Sequence, residues 1–264
     1  MRVYISADIE GVCGITHWDE ATKSSADYAA FQRQMQREVV AACEGAIAAG
    51  ATEIRIKDAH ATGRNLDPLQ LPRQAHLVRE WSGHPLMMVQ ELDTSFDALL
   101  LIGYHAGAGF GGNPLSHTLT GAYHRVSVNG QALSEFHLYS LAAAAMGVPT
   151  GLVSGDADLC AQVTAHHPGI RTVTTNTGRG RSVIARHPLV VVEEIQQAAA
   201  EALRDLPTPA PLPDTIRLEV EYRDHRDAYR GGFYPGATQT GPRTVLLEAD
   251  AWFEVLRALL FLKR

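Results

Sequence analysis

Cysteine is scarce in this sequence, and the few cysteines are widely spaced. They are Cys13, Cys43 and Cys160, and none belongs to a C-x-x-C motif. An odd number of scattered thiols argues against a disulfide framework and against a zinc site built from thiolates. We therefore predict three buried, unpaired thiols, and any chemistry must rest on other side chains.

An excess of positive charge is also missing. The 264 residues include 23 Lys and Arg against 29 Asp and Glu, which gives a formal net charge of -6 at pH 7. A nucleic-acid surface needs a basic patch and a membrane span needs about 20 consecutive apolar residues, and the sequence has neither. We predict no nucleic-acid partner and no membrane partner. Without a charged leader and apolar signal segment at the N-terminus, a cytoplasmic location is expected.

Strand and helix patterns alternate along the first part of the chain. Residues 3–7 and the continuous apolar run Ala98–Ile102 read as strands buried on both faces, and residues 25–50 carry apolar side chains at helical spacing. Strands joined by helical crossovers predict an α/β fold with a mainly parallel sheet and flanking helices, in three layers. Such sheets bind ligands outside the carboxyl ends of their strands.

The pattern changes after about Pro168. A β-α-β-β-α succession follows, interrupted by a proline-rich connection at residues 207–213. We predict an α/β metal-binding catalytic domain at residues 1–168 and a smaller two-layer α+β domain at residues 169–264, which is expected to take part in assembly.

Carboxylates and imidazoles stand where the predicted strands end. Asp8 and Glu10 follow the first strand, His60 follows the second, and His105 follows the third. Residues i and i+2 of a strand share a face, so Asp8 and Glu10 point into one crevice. Glu135, just after an Asn-Gly hairpin, is a fifth candidate. Each residue alone is more often a cap or a hydrogen-bonded structural residue, but four at three strand ends, with Glu135 as a fifth candidate, predict a site.

This mixed ligand set has a preferred metal. Imidazole combined with carboxylate favours zinc or another late divalent ion over magnesium and calcium. A catalytic zinc takes three protein ligands and keeps one position open, so five convergent ligands suit two ions that share a carboxylate. Two ions about 3.5 to 4 Å apart lower the pKa of a shared water and clamp a tetrahedral intermediate. We therefore predict two late divalent ions per subunit, either two Zn²⁺ or another metal of that group.

Five short stretches resemble the bacterial D-aminopeptidase family of dinuclear zinc peptidases. In chain order they are Ser6–Gly11, Lys57–His60, Gly103–Ala106, Leu115–His117 and Ser134–Glu135. An ordered match at five places is specific. The resemblance implies an aminopeptidase that acts on peptides with D-residues.

The same resemblance implies a role for each metal-binding residue. It implies that Asp8 bridges the two zinc ions. Glu10 and His60 would then complete one zinc site, and His105 and Glu135 would complete the other.

His117 is singled out as the catalytic histidine. The resemblance implies that it is the nucleophile. Physical reasoning assigns it a different role, because a metal-activated water is already a strong nucleophile and an imidazole is better suited to protonate the leaving amine or to stabilise the oxyanion. Asp58 has two open interpretations, as an acceptor for a ligand imidazole or as a turn acid.

The combined interpretation is a dinuclear zinc aminopeptidase that removes the N-terminal residue of short peptides. Metal-activated water attacks the peptide carbonyl and His117 assists. The resemblance also implies a ring-like homo-oligomer, with a decamer as its form. The expected contacts are the aromatic segment 229–234 and the terminal-helix side chains Trp252, Phe253 and Phe261.

Two alternative functions stay open at this point. One is an aspartyl-phosphate-type phosphohydrolase with Asp8 as nucleophile and one Mg²⁺, which expects a late acidic pair that Asp156 and Asp158 would supply. The other is a non-catalytic zinc-binding assembly protein whose metal site is closed.

Overall fold

The computed structural model describes residues 1–263. Its strands are β1 (Arg2–Ala7), β2 (Glu53–Asp58), β3 (Ala75–Val78), β4 (Ala98–Tyr104), β5 (Tyr123–Val128), β6 (Gln131–Ala132), β7 (Thr150–Gly155), β8 (Arg171–Thr174), β9 (Asn176–Arg179), β10 (Ser182–Ala185), β11 (Ile216–Tyr222), β12 (Ala237–Gln239) and β13 (Thr244–Ala249). The α-helices are α1 (Trp18–Ala21), α2 (Tyr28–Ala48), α3 (Glu135–Ala144), α4 (Ala157–His166), α5 (Pro188–Ala202), α6 (His225–Gly231) and α7 (Trp252–Leu262). Short 3-10 helices cover Pro68–Gln70 and Met87–Val89.

Six strands form a parallel sheet in the order β3-β2-β1-β4-β7-β8. β1 lies at its centre, with Val3 opposite Ile54 of β2 on one side and Ala98 of β4 on the other. Every residue of β4 is buried, which explains a continuous apolar run in place of alternation. The predicted α/β fold with a mainly parallel sheet is confirmed.

Helices cover both faces of this sheet. On one face α2 and α5 pack closely against each other: a Cβ at Gly45 of α2 would lie 2.2 Å from the carbonyl oxygen of Gln196 in α5. On the other face lie α3, α7 and a second sheet, and the indole of Trp252 donates to the carbonyl of Leu138 at 2.9 Å. The parallel sheet is therefore the middle layer, and its carboxyl edge is the place where loops from several strands meet.

The second sheet is antiparallel and has the order β12-β13-β11-β5-β6. β5 and β6 form a hairpin through Asn129 and Gly130, whose φ angles are 52° and 82°. Two consecutive residues with positive φ are what an Asn-Gly turn of this kind requires. The predicted hairpin is present, and the smaller antiparallel layer packs on the parallel sheet.

Strand pairing does not follow the expected division at residues 168 and 169. β8 lies after that point and pairs with β7 in the parallel sheet. β5 lies before it and pairs with β11 in the antiparallel sheet. Both sheets therefore contain strands from both sides of the expected boundary. The sequence did not predict this, because neither a hairpin nor an edge strand indicates in its own sequence which distant strand it will join.

Two further features concern composition. The three cysteines are buried and free, as predicted. Among residues 1–263, none of the helices combines the length and apolar character that crossing a membrane would need.

Candidate active site

Acidic and imidazole side chains meet at the carboxyl edge of the parallel sheet. Asp8 and Glu10 lie in the loop after β1, His60 lies after β2, His105 directly follows β4, and Glu135 is the first residue of α3. All five are buried, with at most 6% of the residue exposed. The structure brings together the five residues that were predicted as metal ligands.

Backbone contacts hold the loop that carries Asp8 and Glu10, here called the acidic loop, against the end of β4. The amide of Asp8 donates to the carbonyl of Ile102 at 2.8 Å. A Cβ at Gly11 would lie 1.7 Å from the carbonyl oxygen of Tyr104, so only glycine permits this approach. The sequence Asp-Ile-Glu-Gly therefore places its two acids beside the residue that follows β4.

Asp8 directs its two oxygens toward different imidazoles. Oδ1 lies 3.3 Å from His60 Nδ1 and Oδ2 lies 3.4 Å from His105 Nε2. Glu10 Oε2 lies 3.0 Å from the same nitrogen of His60, and Glu135 Oε2 lies 3.5 Å from the same nitrogen of His105. Each imidazole thus faces one oxygen of Asp8 and one oxygen of a second carboxylate.

His117 stands beside this group on the loop between β4 and β5. Its ring stacks on that of His105, with centroids 4.4 Å apart and planes 8° apart, and Trp18 contacts it edge-on at 5.2 Å. Its Nε2 lies 3.7 Å from Glu135 Oε1 and 4.0 Å from Glu10 Oε1. The ring therefore faces the oxygens of Glu10 and Glu135 that point away from His60 and His105.

Each of the three imidazoles binds a backbone carbonyl through one ring nitrogen. The bonds join His60 Nε2 to Ala21 O at 2.8 Å, His105 Nδ1 to Ala106 O at 2.9 Å, and His117 Nδ1 to Leu115 O at 2.9 Å. A carbonyl only accepts, so the bonded nitrogen carries the proton of the neutral ring and the other nitrogen presents a lone pair. Metal-binding histidines are oriented in this way.

Two buried atoms among these carboxylates and imidazoles indicate whether the site can hold a cation. Glu10 Oε2 and His105 Nε2 are buried and have no hydrogen-bond partner among the residues that the structure describes. Buried polar atoms without partners are rare in proteins and need a reason. Carboxylate oxygens and imidazole lone pairs converging on one point fit a late divalent cation.

The buried carboxylates also shift the acid–base behaviour of the site. Burial, together with the charge of Glu10, raises the pKa of Asp8 to about 6. Burial alone would lower the pKa of His60 and His105, but the neighbouring carboxylates outweigh it and raise both pKa values well above the ordinary range. Metal ligands must be deprotonated, so a divalent cation would take the place of these protons.

Two overlapping sets of three residues have ligand atoms within 4.8 Å of one another. One set is Asp8, Glu10 and His105, and the other is His105, His117 and Glu135. The second set shows that distance alone permits His117 as a ligand as well as a proton-transfer group. The zinc content of a His117 variant distinguishes these two roles.

Asn113 connects three parts of the site. In the sequence its only distinguishing feature is the Asn-Pro dipeptide, so it was not predicted as a functional residue. Its Nδ2 donates to the carbonyl of Glu10 at 2.9 Å and to Asp156 Oδ2 at 3.2 Å. Asp156 also accepts from the amides of Ala106 and Leu159, so both of its oxygens are engaged in capping α4 and holding the loop after β4. Asp156 is therefore not free to serve in the late acidic pair that the phosphohydrolase alternative expects.

Asp58 is a turn acid. It accepts hydrogen bonds from the amide and side chain of Asn65 and from the amide of Leu66, which closes the loop after β2. His60 uses the Ala21 carbonyl as its acceptor instead. The alternative interpretation of Asp58 as an acceptor for a ligand imidazole is wrong.

Glu38 supports the acidic loop through a hydrogen bond to its backbone. This residue of α2 is buried and accepts from the amide of Cys13 and from Gln34 Nε2, both at 2.9 Å. Its second oxygen has no hydrogen-bond partner within residues 1–263. Burial raises the pKa of Glu38 to about 7, so the uncharged form predominates in the folded protein below that pH.

Glu38→Gln is therefore expected to stabilise the protein at alkaline pH. A folded pKa of about 7 against 4.5 means that the folded state holds the proton more tightly, so the free energy of unfolding falls as pH rises between these values. Glutamine keeps the acceptor oxygen and removes the charge, which gains up to about 3 kcal/mol above pH 7 and little near pH 4. Urea unfolding at both pH values measures this, with the exposed Glu44→Gln on the same helix as control. An equal gain at both pH values would contradict it.

A cavity of about 800 Å³ opens onto these residues. Asp8, Glu10 and Glu135 line it together with Trp81 and Met88. This volume is within the usual range for small-molecule sites, which are concave and largely apolar around a few polar groups. Buried carboxylates and imidazoles at the carboxyl edge of a parallel sheet, open to such a cavity, define a metal-dependent hydrolase.

Comparison with known proteins identifies the class more closely. The family Peptidase_M55, described as D-aminopeptidase, matches residues 1–261. A relative named D-aminopeptidase, from Bacillus subtilis (strain 168), is 27% identical over 266 residues, covering 98% of this chain and 96% of that protein. The solved structure of the Zn-dependent D-aminopeptidase DppA from Bacillus subtilis, described as a self-compartmentalizing protease, superposes with a TM-score of 0.93 at 25% identity, covering 99% of this chain and 96% of the other. The chain belongs to the D-aminopeptidase family and is a metallo-aminopeptidase.

Proposed function

We propose that this chain is a dinuclear zinc aminopeptidase that removes N-terminal D-residues from short peptides. The observation that carries the proposal is the orientation of three imidazoles, each bound to a backbone carbonyl through one nitrogen and facing buried carboxylates with the other. The solved relative is Zn-dependent, which supports zinc as the metal.

The distances support a division of the ligands between two ions. Asp8 would bridge, because its two oxygens face different imidazoles. Glu10 and His60 would hold one ion, and His105 and Glu135 would hold the other. When bound, the ions would polarise the peptide carbonyl and lower the pKa of the attacking water.

His117 would move a proton during peptide cleavage. The bond from Nδ1 to Leu115 fixes the ring so that Nε2 faces the carboxylates of Glu10 and Glu135. Because Nε2 carries the lone pair of the neutral ring, it would first accept a proton from the attacking water and then deliver that proton to the leaving amine, since expelling an amine without a proton is unfavourable. Trp18 and His105 hold the ring by contact on its edge and face.

The test is a measurement of zinc content combined with a kinetic panel. We expect about two equivalents of zinc, and faster hydrolysis of D-aminoacyl p-nitroanilides than of their L-counterparts. Dialysis against a chelator should abolish hydrolysis, and zinc should restore it. One equivalent of zinc in a fully active protein would contradict the two-ion assignment, and preference for L-substrates would contradict the substrate assignment.

We also propose that the protein forms a homo-oligomer that encloses its active sites, and the description of the solved relative as a self-compartmentalizing protease supports this. Exposed aromatic side chains cluster at α6 and α7, where Tyr229, Phe233 and Phe261 are 63%, 73% and 63% exposed. Phe261 stacks with Tyr234 at 6.4 Å. Trp252 is buried within its own chain and is not available as a contact. Exposed apolar side chains in one patch are typical of interfaces.

The double variant Phe233→Asp, Phe261→Asp is expected to lower the mass measured by light scattering to that of a smaller species. Charges placed in an apolar interface remain unpaired there and cost several kcal/mol. Leu69→Asp is the control, because Leu69 is 92% exposed and lies outside the aromatic cluster. A parent protein that is monomeric and fully active at micromolar concentration would refute the assembly itself.

A further inference from the structure

Lys263 enters the active-site cavity from the end of α7. The preceding carbonyl, of Leu262, accepts from the hydroxyl of Tyr222 at 3.2 Å and from Arg230 Nη2 at 3.1 Å. The amide of Lys263 donates to Leu259 at 3.1 Å. These bonds fix the backbone, so the lysine side chain starts from a defined position at the cavity wall.

Three cationic side chains line the cavity, and they differ in their partners. Lys23 donates to the carbonyl of Arg64 at 2.7 Å, and Arg64 lies 3.2 Å from the carboxylate of Glu80. Lys263 has no hydrogen bond from its ammonium group and no ion pair within residues 1–263. Among the described residues, Lys263 is therefore the cavity cation whose ammonium group makes neither a hydrogen bond nor an ion pair.

Trp81 shows the contrast between Lys263 and a second lysine. The ammonium of Lys57 lies 4.0 Å from the centroid of this ring and donates to the carbonyls of Asp58 and Glu80. The ammonium of Lys263 lies 5.7 Å from the same ring without such bonds. Burial lowers the pKa of Lys263 while the charge of Glu135 opposes this, so the ammonium is partly desolvated and shares the cavity with the acid.

The substrate supplies an anion that an unpaired ammonium in the cavity can bind. The proposed zinc ions would offset the charges of Asp8, Glu10 and Glu135, so these acids would not repel a carboxylate that enters. A short peptide brings its own terminal carboxylate within a few residues of the bond to be cleaved, at about 3.5 Å per extended residue. Long peptides and amidated peptides do not present this group inside the cavity.

We propose that the ammonium of Lys263 binds the terminal α-carboxylate of the substrate and makes the enzyme selective for dipeptides and tripeptides with a free carboxyl end. This inference rests on the proposed aminopeptidase function and adds the substrate class. Lys263 would hold the leaving part of the substrate, while the residues around Asp8 act on the peptide bond. The expected selectivity is a preference for free acids over C-terminal amides.

The test compares D-alanylglycine with D-alanylglycinamide on the zinc-loaded protein. We expect a kcat/KM about 10- to 100-fold higher for the free acid, as one charge-assisted hydrogen bond provides. Lys263→Met should remove this preference by raising KM for the free acid alone, and Lys263→Arg should restore most of it. Calorimetry with the reduced-bond analogues of both peptides should show the same ratio in binding without hydrolysis.

Lys23→Met is the matched control, because it removes one charge from the same cavity at an exposed position that is already hydrogen-bonded. It should leave the ratio of free acid to amide unchanged. Equal hydrolysis of both peptides by the parent would refute the role of Lys263 while leaving the aminopeptidase function intact. Hydrolysis of neither peptide would refute the function, and the subsite with it. A loss of both activities to the same extent in Lys263→Met would identify a structural role instead.

Discussion

His117→Ala is expected to keep its zinc and its fold and to lose about 10²- to 10⁴-fold in kcat, the usual contribution of one proton-transfer or oxyanion group. The reason is its geometry: Nε2 is aimed at the carboxylates from 3.7 and 4.0 Å, while the backbone bond at Nδ1 fixes the ring. Removing the imidazole leaves the five buried residues that we propose as ligands in place. The measurement is kcat with a D-aminoacyl p-nitroanilide, together with zinc content of the same sample.

His105→Ala is the matched control for this experiment. The two rings are stacked, so both variants remove an imidazole from nearly the same place. His105 faces Asp8 and Glu135 from inside the group, and its loss should release zinc. If His117→Ala releases zinc to the same extent, His117 is a ligand. If it keeps activity within a few-fold, the catalytic assignment is wrong.

The sequence predicted which side chains would meet at the edge of the parallel sheet, because the sheet topology places them there. In a parallel sheet the carboxyl ends of all strands lie at one edge, so Asp8, His60 and His105 were expected together once their strands were recognised. Glu135 needed one more element, the hairpin at Asn129–Gly130. These predictions used only local patterns, and local patterns are what the sequence displays directly.

Other features depend on contacts between distant segments and could not be predicted. The carbonyl of Ala21 orients His60 across 39 positions of the chain. A periodic sequence pattern does not indicate which backbone carbonyl will accept a hydrogen bond from a distant side chain. Asn113 connects Glu10 to Asp156 from a loop without regular structure. Lys263 lines the cavity because α7 packs against α3, although Lys263 lies at the opposite end of the chain from Asp8. Such pairings follow from tertiary packing, which is decided by the whole core.

Asp8→Asn is expected to lose more than one equivalent of zinc and nearly all activity. Asp8 is the residue whose two oxygens face both imidazoles, at 3.3 and 3.4 Å, so its loss affects both proposed sites. An amide supplies one neutral oxygen and a nitrogen that does not bind cations. His60→Ala removes a ligand of one site only, and it should leave the other site partly occupied. Metal analysis of the two variants beside the parent measures this difference.

Melting temperatures measured with and without zinc distinguish loss of metal from loss of the fold in Asp8→Asn. Burial and the charge of Glu10 raise the pKa of Asp8 to about 6, so its ionised form destabilises the metal-free protein above that pH. Asparagine removes that charge, and metal-free Asp8→Asn should therefore melt at or above the temperature of the metal-free parent. A ligand that binds only the folded state raises the melting temperature, so zinc should stabilise the parent much more than the variant. A variant that binds two equivalents and gains the same stabilisation would show that Asp8 does not bridge the ions.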